Sequence, residues 1–477
     1  MSRSKIITDS IWSVSSNILT LLIALISNVV FARFMTPTEF GQLSIIMFFV
    51  SVCNVFTDGG LSGALVRKMD KKEEDYSTVF TFNLILSSIL FIGLILASKT
   101  ISEFYNQPSL QSPIVATSFI LIISTFQTIQ NIRIIQDLEF KTKAIITLLS
   151  AIFGTSIGFF FGYFLNLGVW ALISIPIATA SFQVFLCIYY KGFFFKLHLN
   201  RNSFKELFGF GINTTFVSVL NMTFDNIYQL ILGRLFSIST VGFYYQAKKL
   251  QDVPNNLINN LSQGVFYSTL VKSQNDKDDL IKNYSLISTT FIWLVGFAVL
   301  LVLLFGDQFV LIILGQKWLE SVYFIKLLII GSIFYTQEII NKIIFKIYNR
   351  TKTLLRLEII KKIVQTLTLL LGIYLKRIDI LLYGYIFTNM FSCFLNHLFT
   401  RKILEVGNEE LVFLCKVCLL IFSLVTFYWC ITIYVKNILL LIIIGCALVM
   451  MYVFLSKIFS ILDINSFSRK LIRAIRK

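Results

Sequence analysis

Fourteen stretches of about 20 apolar residues, joined by short connections, restrict this chain to one kind of solvent. They run over 11–32, 43–66, 78–98, 113–132, 144–165, 168–190, 208–232, 241–268, 286–305, 322–345, 354–374, 380–400, 411–434 and 438–456. A helix of ~20 apolar residues crosses ~30 Å of hydrocarbon. Inside that layer the backbone must satisfy its own hydrogen bonds, and a helix does so within one segment. Only 14% of the 477 residues are charged. No connection is long enough for a soluble domain of ordinary size. The expected fold is an all-α integral membrane protein with about fourteen transmembrane helices.

The formal net charge of +17 invites a nucleic-acid reading, but the placement of the basic residues argues against it. With the N-terminus in the cytoplasm, 28 of the 42 Lys and Arg fall at cytoplasmic ends and seven at the opposite ends. Seven more lie inside segments. This is a strong positive-inside asymmetry. It puts both termini in the cytoplasm and requires an even number of crossings. The basic tail after Lys457 is expected against anionic lipid. The first segment is too long for a signal-peptide core and has no small-residue cleavage site, so it is expected to be retained. All seven cysteines fall within spans, and Cys415-x-x-Cys418 reads as small apolar filler rather than a redox pair. No Walker or dinucleotide glycine loop is present. His198 and His397 are isolated in sequence, so no enzyme, metal site or cofactor is expected.

The chain also repeats itself. Val29-Val30-Phe31-Ala32-Arg33-Phe34 is followed eight residues after the arginine by Gly41, and Leu230-Ile231-Leu232-Gly233-Arg234-Leu235 is followed likewise by Gly242. The offset is 201 residues. Gln127-x-Ile129-x-Asn131 returns as Gln337-x-Ile339-x-Asn341, at an offset of 210. Six spans, an even number, separate the first pair. The halves therefore share orientation and are related by an axis along the membrane normal, an arrangement typical of transporters. The expected division is a six-helix bundle over 1–195, a second over 208–400, and two further spans with the basic tail over 401–477.

Polar residues inside spans mark where function is expected. Span eight carries Lys248, Lys249, Gln251, Asp252, Asn255, Asn256, Asn259, Asn260 and Gln263. At 100° per residue, Lys248, Asp252, Asn255, Asn259 and Gln263 form a stripe roughly 80° wide and ~22 Å long. Such a stripe needs a water-filled cavity or a polar partner. The plainer alternative is a Lys248–Asp252 pair with asparagines joining helices. Asp58 and Asp225 are single acids in spans two and seven, where each can couple a cation or balance a lysine. Glu338 and Lys342, four residues apart, read first as an internal ion pair, and Lys326 lies in the same span. Gln127 and Asn131 give one polar face, for packing or for substrate. Arg33 and Arg234, at outer span ends, either snorkel to head groups or meet an anionic ligand.

Several ordered pieces resemble a known family. They are Phe31-Ala32-Arg33 with Pro37-Thr38-Glu39-Phe40-Gly41; Asp58-Gly59-Gly60-Leu61; Asp75-Tyr76-Ser77-Thr78-Val79-Phe80; and Leu138-Glu139-Phe140-Lys141. Gly168-Val169-Trp170-Ala171-Leu172, Asp225-Asn226 with Leu232-Gly233-Arg234, and Val241-Gly242-Phe243-Tyr244-Tyr245-Gln246-Ala247 follow. Across roughly 5–400 the chain resembles the polysaccharide flippases (lipopolysaccharide and colanic-acid type) of the multidrug/oligosaccharidyl-lipid/polysaccharide exporter superfamily. The resemblance implies a V of two six-helix bundles plus two helices. It also implies transfer of undecaprenyl-diphosphate-linked oligosaccharide repeat units to the outer leaflet by alternating access, with the lipid tail in a lateral opening between spans one and eight.

For that cargo the sequence offers a cationic cavity. Lys248, Lys249, Lys326 and Lys342 suit the diphosphate. Asn255, Asn256, Asn259, Gln127 and Asn131 suit the sugars, and Arg33 and Arg234 are further anion candidates. Asp225, Asp58, Asp252 and Glu338 are candidates for coupling to H+ or Na+. The expected partners are the lipid-linked glycan and membrane lipids, and a monomer is expected. Two alternatives stay open: a cation-coupled drug or metabolite exporter of the same superfamily, which would favour acids over bases in the cavity, and a membrane glycosyl polymerase or ligase, which would need larger outer loops than 99–112 and 306–320.

Overall fold

The computed structural model describes residues 3–458 except 69, 71, 193–195 and 436. The basic tail beyond Ile458 lies outside the described residues. Each of the fourteen apolar stretches overlaps one long helix, although 43–66 breaks at Gly59-Gly60 and 144–165 and 241–268 run on into π-turns. These are α1 (Arg3–Phe34), α2 (Pro37–Asp58), α3 (Glu73–Phe104), α4 (Gln111–Gln136), α5 (Phe140–Phe159), α6 (Val169–Lys191), α7 (Arg201–Leu235), α8 (Ile238–Leu261), α9 (Lys277–Ile313), α10 (Glu320–Ile347), α11 (Thr351–Leu375), α12 (Ile378–Leu404), α13 (Glu409–Tyr434) and α14 (Ile438–Ile458). A short helix, Leu61–Arg67, follows α2, and α8 continues through a π-turn into Tyr267–Lys272. No strand occurs among the described residues.

Ten of these helices are long and apolar enough to cross a membrane: α2–α6, α9, α10 and α12–α14. The protein is therefore a multi-pass, all-helical membrane protein. The other four, α1, α7, α8 and α11, carry more polar or charged residues, and α1 keeps the apolar piece Ile18–Phe34.

Local chemistry places the breaks. Thr36 caps α2 with Pro37 in its first turn. Thr36 Oγ1 accepts from the Glu39 N–H at 3.4 Å, and the Thr36 N–H donates to the Glu39 carboxylate at 2.6 Å. This is a complete capping box. At the other end Gly59 and Gly60 both take left-handed conformations, φ 54° and 67°, which need glycine. That double turn releases the chain into the short helix.

The chain divides into two compact units, Met1–Tyr245 and Gln246–Lys477, and the boundary falls inside α8. In the first, α3 packs on α4, α5 on α6 and α1, α4 on α6, and α2 on α4 and α7. Leu61, Leu65, Val79, Phe80, Ile129 and Ile132 form one of its cores with Leu207 of α7. In the second, α10 packs on α9 and α12, and α11 on α12. The final pair, which echoes nothing earlier, is fixed through α13 on α9: Val417, Ile421 and Leu424 meet Val295, Val299 and Leu300. Tyr452 of α14 donates its hydroxyl to the Trp293 carbonyl at 3.1 Å.

Apolar contact alone gains little between helices in lipid, so close approach and hydrogen bonds decide the packing. The arginine–glycine repeat supplies the closest approach in the first unit. A Cβ on Gly41 would stand 1.9 Å from the Ile238 carbonyl oxygen, and one on Gly242 would stand 1.8 Å from the Pro37 carbonyl oxygen. Each glycine meets the residue four positions before the other. That reciprocity is what a self-complementary contact between two copies of one motif produces.

Candidate functional site

Three long helices of the first unit, with the short helix after α2, line an open cavity of about 660 Å³. From α2 come Ser51, Asn54, Val55 and Asp58, with Thr57 at the edge of that face; from α4, Ser124, Gln127, Thr128 and Asn131; from α7, Thr215, Ser218 and Met222. The α2 and α4 sets follow the spacing i, i+3, i+4, i+7, so each is one helix face. Ser124 Oγ joins two faces by donating to Asn54 Oδ1 at 3.0 Å. Asp58 ends α2, and its carboxylate accepts from the Ser62 hydroxyl. Among the described residues no Lys or Arg lines this cavity.

The second echo splits. Gln127 and Asn131 line the cavity and make no side-chain hydrogen bond among the described residues. Gln337 and Asn341 are fully buried in the second unit. Tyr284 donates to Asn341 Oδ1 at 2.6 Å, and Gln337 Nε2 donates to the Tyr284 oxygen at 3.1 Å. One copy is open and the other is packed. Replacing Gln337 by alanine is therefore expected to lower stability by about 1–3 kcal/mol, because buried partners lose their bonds. Gln127→Ala should stay within about 0.5 kcal/mol of the parent. Thermal unfolding of the purified protein in detergent measures both.

The polar positions of α8 also divide. Gln251 is buried and donates to the Leu328 carbonyl at 2.6 Å, the Tyr385 hydroxyl at 2.8 Å and Ser332 Oγ at 3.2 Å. Asn259 donates to the Tyr335 hydroxyl at 2.8 Å. These two join helices. Lys248, Asp252, Asn255 and Asn259 are half-buried, whereas Lys249, Asn256, Asn260 and Gln263 are exposed. At 100° per residue the exposed face is turned about 70° from the stripe read off the sequence.

The remaining candidates are largely engaged by protein. Glu338 is fully buried and holds Lys342 at 2.6 Å and Lys361 at 2.8 Å. Lys342 also pairs with Glu358. Two acids and two lysines thus form a neutral network tying α10 to α11. It extends through Tyr335, whose ring lies 5.9 Å from the Lys361 ammonium, to Asn259. Lys326 pairs with Asp307 at 2.5 Å, near the other end of α10. The expectation that Lys342 and Lys326 offer open charges to a diphosphate therefore meets a structure in which both already hold carboxylates. Arg33 and Arg234 are exposed, as snorkelling residues are. Arg234 donates to the Phe104 carbonyl at 2.6 Å and lies 4.8 Å over that ring. Asp225 is exposed on α7 and does not line the cavity.

Sequence reasoning passed over Asn54, Ser124, Thr128 and Ser218, although the run 124, 127, 128, 131 was a readable helix face. It also passed over Lys361 and Glu358, whose role depends on α11 lying beside α10. All cysteines among the described residues are free thiols.

Comparison with known proteins supports the fold and the family. The chain is 23% identical over 333 residues to the lipopolysaccharide biosynthesis protein WzxC of Escherichia coli strain K12, covering 68% of this chain and 66% of that one. It is 23% identical over 338 residues to the teichuronic acid biosynthesis protein TuaB of Bacillus subtilis strain 168, covering 69% and 68%. The matches thus span about two thirds of those relatives. Among solved structures, lipid II flippase MurJ in an inward closed conformation aligns with a TM-score of 0.68 over 98% of this chain and 100% of that one, at 16% identity. An inward-facing multidrug resistance MATE transporter of the MOP superfamily aligns at 0.63 over 81% and 94%, at 13% identity. At these identities the two structures show a shared fold. The model of the polysaccharide biosynthesis protein family matches residues 30–323, well over half of the 477, and the chain belongs to that family.

Proposed function

We propose that this protein flips undecaprenyl-diphosphate-linked oligosaccharide units from the cytoplasmic to the outer leaflet of a bacterial inner membrane by alternating access. The observation that carries the reading is the cavity of the first unit. It is a large space among helices, and its lining carries amides, hydroxyls and the Asp58 carboxylate beside Val55 and Met222. Amides both donate and accept, as sugar hydroxyls require. The sugars engage Asn54, Gln127 and Asn131. The diphosphate engages Lys248 and Lys249, with Asn255 and Asn256 along the same helix. In a low-dielectric surrounding each lysine attracts a diphosphate far more strongly than in water. In this reading all fourteen helices cross, both termini are cytoplasmic, and two repeated bundles over 1–195 and 208–400 are followed by the accessory pair over 401–477. The protein acts as a monomer coupled to H+ or Na+ through one of its intramembrane acids.

Purified protein in liposomes containing a fluorescent lipid-diphosphate oligosaccharide tests the proposal. The labelled head group should become accessible on the opposite leaflet, and Lys248→Ala with Lys249→Ala should slow this at least tenfold at equal folded protein. Adding Asp252→Asn distinguishes the roles. If the triple variant regains the parental rate, the lysines serve only to balance Asp252, and the diphosphate assignment fails. A second reading, an exporter of organic cations, is favoured by Asp58 as the one charge lining the cavity among the described residues. It requires transport of a fluorescent organic cation by the same liposomes.

A further inference from the structure

We infer that Gly63 sets the size of head group that the cavity of the first unit admits, by leaving a bare stretch of helix backbone against which a sugar ring can lie. The inference rests on the lipid-linked saccharide reading above and names a residue that decides how large the saccharide can be. The short helix Leu61–Arg67 meets the cavity through Gly63, with Gly60 just before it. Its opposite face is anchored: Leu61, Ala64 and Leu65 are buried in one core with Val79, Ile129 and Leu207. At 100° per residue Gly63 stands about 160° from both Leu61 and Leu65. The packing that buries those two leucines therefore turns Gly63 outward, and it is exposed.

Nothing in the surrounding packing asks for glycine at this position. Gly59 and Gly60 serve left-handed turns, and Gly41 and Gly242 have backbone carbonyls against them. Gly63 has neither reason. It lies inside a helix, and among the described residues a Cβ there would meet nothing within 4 Å beyond the helix's own backbone. Glycine inside a helix is less favourable than alanine, because it gives up more conformational freedom on folding. What it provides here is open space on the cavity side. A sugar ring carries hydroxyls around its rim and C–H groups on its faces. The amides and hydroxyls of Asn54, Ser124, Gln127 and Asn131 suit the rim, and the bare backbone at Gly63 suits a face. A side chain at position 63 would stand where that face lies. Gly93 of α3 is the comparison: a Cβ there also meets nothing within 4 Å, and it is exposed, but it does not line the cavity.

The test uses the full chain in liposomes with two probes that share one lipid diphosphate, one bearing a monosaccharide and the other a pentasaccharide. Parent protein should carry both. Gly63→Leu should lower the pentasaccharide-to-monosaccharide rate ratio about tenfold, the usual scale for a few misplaced methyl groups in a binding site. Gly63→Ala should lower it less, and Gly93→Leu should leave it unchanged. Ratios taken within one preparation are insensitive to the fraction of protein folded. Gly63→Cys introduces the same obstruction after folding. Thiol reagents of increasing length, joined to it through a disulfide, should depress pentasaccharide transport in step with their length, relative to parent protein treated alike, and a reductant should restore it. An unchanged ratio in Gly63→Leu, an equal fall in Gly93→Leu, or adducts whose length makes no difference would each overturn the inference while leaving transport intact. Failure of both probes to cross with parent protein overturns the transport reading, and with it this inference.

Discussion

Alanine at Gly41 lowers the unfolding free energy by about 1–3 kcal/mol, and alanine at Gly242 does the same. The two losses do not add. Gly41 lies against the carbonyl of Ile238, and Gly242 against the carbonyl of Pro37. In each case the obstacle to a methyl group is backbone, which no rotamer change can remove. Accommodating either methyl requires the starts of α2 and α8 to separate. Once separated, they have room for the second methyl, so the double variant falls short of the sum by about 0.5 kcal/mol or more. Thermal or denaturant unfolding of the three variants in detergent measures the cycle. Strict additivity would mean that the two contacts are independent, contrary to their reciprocal geometry.

The second large effect belongs to the network around Glu338. Changing Glu338 to Gln strands Lys361, whose Nζ pairs with that carboxylate and whose side chain is only 13% exposed. The expected loss is about 3–5 kcal/mol, because an unpaired buried charge costs more than the pair contributed. Lys361→Met alone should cost less, since Lys342 still neutralises Glu338 at 2.6 Å. The double change Glu338→Gln with Lys361→Met should recover most of the stability, leaving Lys342 with Glu358. The exposed pair Lys277–Glu405 is the comparison: Glu405→Gln should scarcely move the unfolding transition. If the double variant is no more stable than Glu338→Gln, the carboxylate is required for some reason other than balancing Lys361.

These predictions differ in how far sequence alone anticipated them. The motif repeat was visible as Arg33 with Gly41 and Arg234 with Gly242, but not that the two glycines touch. Spacing along a chain fixes which residues share a helix face and says nothing about which face meets which. The Glu338–Lys342 pair was legible because four residues are one helical turn. Lys361 and Glu358 were not, since their partners come from a neighbouring helix. The echo of Gln127 and Asn131 in Gln337 and Asn341 could be read, yet its two copies have opposite fates. One meets Tyr284 and is packed; the other meets the hydroxyl-lined faces of α2 and α7 and stays open.

By itself, then, the sequence determined the solvent, the class and the approximate positions of the long apolar helices. Hydrocarbon demands runs of about 20 apolar residues with internally bonded backbone, and that demand is local. It also determined that α8 is polar along its length. Only the tertiary structure decided that its exposed face runs through Lys249, Asn256, Asn260 and Gln263 while Gln251 turns inward to the Leu328 carbonyl. It decided too that Asp58, Gln127 and Asn131 line one cavity in the first unit. The physical reason is common to both. In lipid, apolar contact scarcely distinguishes one helix arrangement from another, so orientation is set by glycine approaches and interhelical hydrogen bonds. Those depend on residues far apart in the chain, and they exist only once the helices are side by side.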